Sequence, residues 1–283
     1  IIFPSTLGGH NWHPMSYSPD TGLVYIPAQD AATYFSPDRI SIVLDSMHRA
    51  DMEKMSPDPW LGFAVLVAWN PVTRGIEWTA PYPTFGNAGV LSTAGNLVIQ
   101  GDAQGYVNFY DAKSGDRLRR LATRTGIIAP PIAYEIDGEQ YVAVLAGFGG
   151  ALFVLTEQGM AAKKYRNDGR LLVFKLGGGE VPLAADLDNP PPPPAGEQIA
   201  MLSADETRGR TTYVTRCGAC HGWFGQTGLM PDLRRLSPST LDNLEAMIFD
   251  GPFQHKGMPS FTGQFSDEEV ADLKAYLSAV SMN

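Results

Sequence analysis

Two cysteines occur in the whole 283-residue chain, three positions apart and with a histidine directly behind them: Cys217-Gly218-Ala219-Cys220-His221. At that spacing two thiols are placed to bond the two vinyl groups of a porphyrin, while the adjacent imidazole presents a nitrogen to the iron from one face. The CxxCH run is therefore read as the attachment sequence for a c-type haem. A Cys-x-x-Cys pair also serves redox disulfides and zinc sites. A zinc site needs two more ligands, and the chain offers no third thiol and, next along, only His255.

An iron held by His221 from one side needs a ligand on the other. Met258, in Lys256-Gly257-Met258-Pro259, is the candidate. Met230 stands close to the attachment site, Met247 falls on the apolar stripe of a helical pattern, and His255 lies in a polar Gln-His-Lys run, so each competes less well. Met/His ligation favours the ferrous state and raises the reduction potential. Such a site passes electrons and has no open position for substrate.

Around this motif the chain has two textures. Residues 203–283 show helical periodicity with caps. Ser266-Asp267-Glu268-Glu269 has the form of a capping box, followed by Val270, Leu273, Leu277 and Val280 on one face. A helix near Thr240 to Phe249 puts Leu241, Leu244 and Ile248 on a common stripe. Residues 181–202 hold five consecutive prolines, Pro190 to Pro194, and read as an extended spacer.

Residues 1–180 carry short apolar runs broken by turn residues, as strands require. The runs are Leu23–Pro27, Gly62–Trp69, Gly75–Trp78, Asn96–Gly101, Tyr106–Tyr110, Gln140–Leu145, Ala151–Leu155 and Arg170–Lys175. One unit recurs: a strand, an Asp/Asn-x-x-x-Gly turn, then a strand that ends in tryptophan in one copy. Its copies are Trp69-Asn70 to Gly75 with Trp78, and Tyr110-Asp111 to Gly115 with Leu118. Repeats at roughly 40 residues suit the four-stranded blades of a β-propeller, and 180 residues make about four. The expected fold is thus an all-β partial propeller, 1–180, a linker, 181–202, and a small all-α cytochrome c domain, 203–283.

The net charge of −9 argues against nucleic acid or an anionic membrane surface as partner. No apolar run reaches the ~20 residues a membrane-spanning helix needs. The chain opens Ile1-Ile2-Phe3-Pro4 without an initiator methionine, which reads as a mature piece or an internal fragment with blades missing.

The order of several short runs resembles the C-terminal half of the quinohaemoprotein members of the methanol/ethanol dehydrogenase family. They are Gly8-Gly9-His10-Asn11-Trp12, Thr21-Gly22-Leu23-Val24-Tyr25-Ile26-Pro27-Ala28, Ala94-Gly95-Asn96-Leu97-Val98 with Gly101, and Gly138-Glu139-Gln140-Tyr141-Val142-Ala143-Val144, then the proline spacer into CxxCH. The resemblance implies an eight-bladed propeller that holds pyrroloquinoline quinone (PQQ) beside Ca2+, followed by a haem c domain. It implies oxidation of alcohols to aldehydes, with electrons passed through the haem to a soluble periplasmic acceptor such as a copper protein or cytochrome. It carries quinone contacts onto Asn11 and Trp12, and a main-chain contact onto Ala151, which follows Gly147-Phe148-Gly149-Gly150 with Phe148 in place of the family's tryptophan. The family's catalytic aspartate and calcium ligands have no counterpart among these runs, and no local pattern lets Asp20, Asp30 or Asp45 replace them. A different reading keeps the haem and drops the quinone: a c-type cytochrome electron carrier with a non-catalytic β docking domain. Cytochrome cd1 nitrite reductase, a third class, has its haem domain first in the chain, the opposite order.

Overall fold

The computed structural model describes residues 4, 8–30, 33–36, 39–42, 63–84, 86–149, 159–187, 202–221 and 230–281. Ala151, the strand expected at Ala151–Leu155 and the run Pro190–Pro194 lie outside them. The chain divides into two compact units, one carrying the described residues up to 187 and the other those from 202 onward.

The first unit is built from antiparallel strands. One four-stranded sheet has the order β1-β2-β5-β6, with β1 Ser16–Ser18, β2 Leu23–Asp30, β5 Phe63–Asn70 and β6 Gly75–Tyr82. A second has the order β10-β9-β8-β7, with β7 Asn87–Ser92, β8 Leu97–Asp102, β9 Tyr106–Asp111 and β10 Arg117–Ala122. A third has three strands, β11 Ile132–Ile136, β12 Glu139–Ala146 and β13 Arg170–Lys175. A separate hairpin pairs β3 Thr33–Ser36 with β4 Arg39–Ile42.

Period-two alternation explains how the sheets stack. Leu23 and Tyr25, Ala64, Leu66 and Ala68, and Trp78, Ala80 and Tyr82 share one face of the first sheet and pack with Val90, Val98, Tyr110 and Ala112 of the second. The second sheet turns Ala88, Ile99 and Val107 the other way, onto Ile127, Val144, Ala146 and Leu172. β8 therefore lies between two cores and is buried on both faces, which is why Leu97-Val98-Ile99 reads as an unbroken apolar run.

The two turns recognised as a repeat fold alike. The side chain of Asn70 accepts from the amides of Val72 and Thr73, and that of Asp111 from the amides of Lys113 and Ser114. The amide four residues on closes each turn, Arg74 onto the Asn70 carbonyl and Gly115 onto that of Asp111. In both, that fourth residue takes the left-handed conformation, at φ 58° for Arg74 and 76° for Gly115. The repeat is thus out of step by one: Gly75 follows the strained position in the first turn, and Gly115 occupies it in the second.

The second unit is helical. Its helices are α1 Ala204–Arg216, α2 Gly218–His221, α3 Pro238–Asp242, α4 Leu244–Phe249 and α5 Asp267–Ala279. Ser203 with Glu206 and Ser266 with Glu269 form capping boxes at the starts of α1 and α5. The helix expected over Thr240 to Phe249 is two short ones meeting at Asn243, yet Leu241, Leu244 and Ile248 all reach the core. α1 crosses α5 at Gly209, where a Cβ would collide with the Asp272 main chain. Arg208 bonds both carboxylate oxygens of Asp272, at 2.7 and 2.9 Å, and Tyr213 packs on Tyr276 with ring centroids 5.4 Å apart.

Candidate functional site

Helix α1 delivers the thiols. Cys217 is its C-cap residue, and the amides of Cys220 and His221 bond back to the Cys217 carbonyl, so Cys217, Cys220 and His221 share one tight turn. Both cysteines are free thiols, Cys217 half-buried and Cys220 exposed. Burial, helped by its neighbour Cys220, raises the Cys217 thiol to about 11, so it is a neutral thiol at physiological pH. Its environment is not that of a thiolate poised for disulfide exchange.

His221 is oriented from outside the turn. Its Nδ1–H donates to the Pro231 carbonyl at 3.3 Å, and because a carbonyl only accepts, the proton is on Nδ1 and Nε2 is left as a bare donor to a metal. Burial lowers the imidazole pKa, against the contact with Pro231, which raises it. A neutral ring with a free Nε2 is the form an iron binds. Pro231 is a participant that residue types had not singled out, although it lies in the Met230-Pro231-Asp232 run near the motif.

Met258 follows Gly257, a left-handed residue at φ 91° that ends a 3-10 turn at Gln254–Lys256. It packs against the same apolar cluster as Cys217, together with Leu233, Leu236, Phe249, Phe261 and Phe265. Met230 is 38% exposed, and His255 is also exposed. The donor set and its apolar surroundings fit a covalently bound haem: two thiols, an imidazole with its outer nitrogen engaged, and a thioether bordering one core.

At the other candidate site, Asn11 and Trp12 precede β1. Pro14 accepts from the Val90 amide and Ser16 bonds Ser92, so the segment leading into β1 runs beside β7 of the neighbouring sheet. The His10 ring donates to the Pro27 carbonyl at 2.8 Å. Trp12 is 57% exposed and stacks on His13 with centroids 4.1 Å apart. His13 is fully buried, its Nε2 has no hydrogen-bond partner, and burial with the nearby His10 lowers its pKa to about 4.

Phe148 comes to the same end of the strands, buried against Gly86 and Gly126. The Asn167 side chain holds its loop by accepting from the Phe148 amide at 2.9 Å and donating to its carbonyl at 2.6 Å. The structure thus brings Asn11, Trp12 and the loop before Ala151 to one end of the β unit. Among the described residues no three His, Cys, Asp or Glu side chains gather into a metal cluster, and no helix is long and apolar enough to cross a membrane.

The family described as cytochrome c oxidase, cbb3-type, subunit III matches residues 204–277. Along almost its whole length the chain is similar to quinohemoprotein alcohol dehydrogenase ADH IIB of Pseudomonas putida, 37% identical over 98% of this chain and 41% of that protein. Over that stretch the chain is similar to quinohaemoprotein alcohol dehydrogenases. It is also 34% identical to 1-butanol dehydrogenase (cytochrome c) of Thauera butanivorans, over 97% of this chain and 41% of that protein. Among solved structures, quinohemoprotein alcohol dehydrogenase ADHIIG of Pseudomonas putida HK5 superposes at a TM-score of 0.78 with 33% identity, covering 99% of this chain and 42% of that one. The Comamonas testosteroni enzyme gives 0.67 and 30% over 99% of this chain and 42% of its own. The chain therefore spans about two fifths of the length of the quinohaemoprotein relatives it matches, and its stacked four-stranded sheets are blades of a propeller.

Proposed function

We propose that this chain is the electron-delivering part of an enzyme that oxidises alcohols to aldehydes using PQQ and haem c. Support comes chiefly from the His221 turn: two free thiols and an imidazole whose Nδ1–H is held by Pro231, facing the apolar cluster that Met258 borders. When bound, the quinone supplies a two-electron acceptor for the alcohol and the haem a one-electron relay outward. Cys217 and Cys220 would anchor the porphyrin, and His221 and Met258 would hold its iron. The phenylalanines at 249, 261 and 265, in the same apolar cluster as Cys217 and Met258, would keep water from the bound group, which would favour the less charged ferrous form.

On the β unit, the exposed Asn11 amide could donate its N–H to a quinone oxygen. Trp12 offers a flat face beside it, and Ala151 a main-chain amide. The His13 Nε2, buried with no partner, gives this edge a polar atom still to be satisfied. The catalytic aspartate and the Ca2+ ligands are assigned to polypeptide other than this chain. The third sheet supports that assignment, because Ile132, Leu145, Leu171 and Val173 on its outward face are 48–64% exposed, an apolar surface suited to another blade. Acceptance of electrons by a soluble copper protein or cytochrome, and a periplasmic location, complete the proposal.

The test is spectroscopic. Matured protein should give sharp reduced-state visible bands and retain its haem under denaturing conditions. Added PQQ with Ca2+ should quench tryptophan fluorescence in the wild type and less so in Trp12→Phe. Haem without any quinone response, in the full-length parent as well, would favour the electron-carrier reading.

A further inference from the structure

The residues that follow Pro231 are more constrained than a surface turn requires. Asp232 caps the short 3-10 turn Leu233–Arg235, its Oδ1 accepting from the Arg234 amide at 3.1 Å. The same carboxylate takes the Arg234 guanidinium in a two-pronged pair, Nε to Oδ1 at 2.9 Å and Nη2 to Oδ2 at 2.8 Å. Arg235 Nε lies 3.5 Å from the same Oδ2. Arginines are rarely buried, yet the Arg234 side chain is only 8% exposed and that of Asp232 19%. A buried pair of this kind contributes little net stability, but it fixes geometry, because two parallel hydrogen bonds leave no rotational freedom.

What the pair fixes is a peptide plane. The carbonyl of Pro231 belongs to the peptide whose nitrogen is that of Asp232, and this carbonyl accepts from His221 Nδ1. Proline locks φ of residue 231, and the clamp holds residue 232 by its side chain at three points. Of the two torsions that orient this plane, ψ of residue 231 and φ of residue 232, the cap and the clamp bear on the second, which stands at −73°.

We infer that the Asp232–Arg234 pair is a positioning clamp for the axial histidine: it aims the Pro231 carbonyl at His221 Nδ1 and thereby sets the reduction potential of the haem. The inference rests on the haem reading above. A hydrogen bond drawn from Nδ1–H makes the imidazole a stronger donor to iron, and stronger donation favours the ferric state. Loosening the clamp weakens that bond and raises the potential.

The test uses the matured full chain, with haem content from its denatured spectrum, the midpoint potential from a redox titration, and the exchange rate of the His221 ring N–H from proton NMR. The first variant is Asp232→Asn with Arg234→Gln, which replaces a neutral ion pair by two neutral groups, so that a shift in potential does not come from net charge. The expected result is full haem content, faster Nδ1–H exchange, and a shift toward the ferrous form of up to about tenfold in the redox equilibrium, or ~59 mV for one electron. Arg234→Lys keeps the charge but loses the fork, and should shift the potential part of the way; it decides the matter if the double variant does not mature. Haem-loaded variants with wild-type potential and exchange overturn the clamp alone. A wild-type chain that takes up no haem overturns the haem reading and the clamp with it.

Discussion

Trp78, at the far side of the first sheet, lies against Gly115 in the turn between β9 and β10 of the second, so close that a Cβ on that glycine would be 2.5 Å from the indole Cδ2. The indole N–H donates to the Ala112 carbonyl at 3.1 Å, which also accepts from the Tyr25 hydroxyl at 2.9 Å. One blade is thus seated on the turn of the next by a ring, a glycine and a doubly used carbonyl.

This contact makes opposite predictions for two turn residues of equivalent backbone. Gly115→Ala meets both a clash and a left-handed φ, and should destabilise the β unit by ~2–4 kcal/mol in denaturant unfolding. Arg74→Gly removes the same backbone strain where the side chain is exposed, and should be neutral or stabilising by up to ~1 kcal/mol. Equal responses at the two positions would contradict the equivalence of the turns.

His13 predicts the acid sensitivity of the β unit. Its folded pKa is about 4, lowered from 6.5 by burial first and by His10 second. Below pH 6.5 the unfolded chain takes up the proton and the folded one does not, so this contribution to stability is complete above 6.5 and falls as pH drops toward about 4. At ~1.4 kcal/mol per unit, and allowing for screening, the loss is on the order of 2 kcal/mol. Thermal unfolding across this range should show a shallower slope for His13→Gln than for the wild type.

In the helical unit, Gly209 is the crossing point of α1 and α5. A methyl group there has no room against the Asp272 backbone, so Gly209→Ala must part the helices and the Tyr213–Tyr276 contact with them. The expected cost is ~3 kcal/mol or more, read as a lower unfolding midpoint of the helical unit on heating.

Met258→Ala tests the sixth ligand. Loss of the thioether should lower the midpoint potential and abolish the weak far-red band of methionine-ligated ferric haem, leaving the covalent bands intact. The same substitution at Met230, which is 38% exposed, should leave both unchanged.

Strands with a strong apolar run, such as β2, β5, β8 and β12, were legible in the sequence because burial on one or two faces writes itself as hydrophobicity. β7, Asn-Ala-Gly-Val-Leu-Ser, was not, because Gly89 packs tightly between Pro14 and Pro130 and the position admits no side chain. β10, Arg-Leu-Arg-Arg-Leu-Ala, is an edge strand that its charges hide from a propensity reading, and the repeat alone placed a strand at Leu118. At the proposed haem turn the thiols, His221 and Met258 are the candidates that type and spacing single out. Pro231 and Arg234 do not, since the first acts through a carbonyl that every residue has and the second is a charged side chain folded inward onto Asp232.

In the register of the two hairpins Arg119 stands in the second repeat where Trp78 stands in the first, and it is exposed. The seam between the second and third sheets therefore has no indole bolt at that position. Among the described contacts it is closed by aliphatic packing around Ile127 and Leu172, and by Arg170, which donates to the Thr123 carbonyl and the Thr125 hydroxyl. The stack is fastened unequally. Under heat or tension it should part first between its second and third layers, with amide protons of β12 and β13 exchanging before those of β5 and β6.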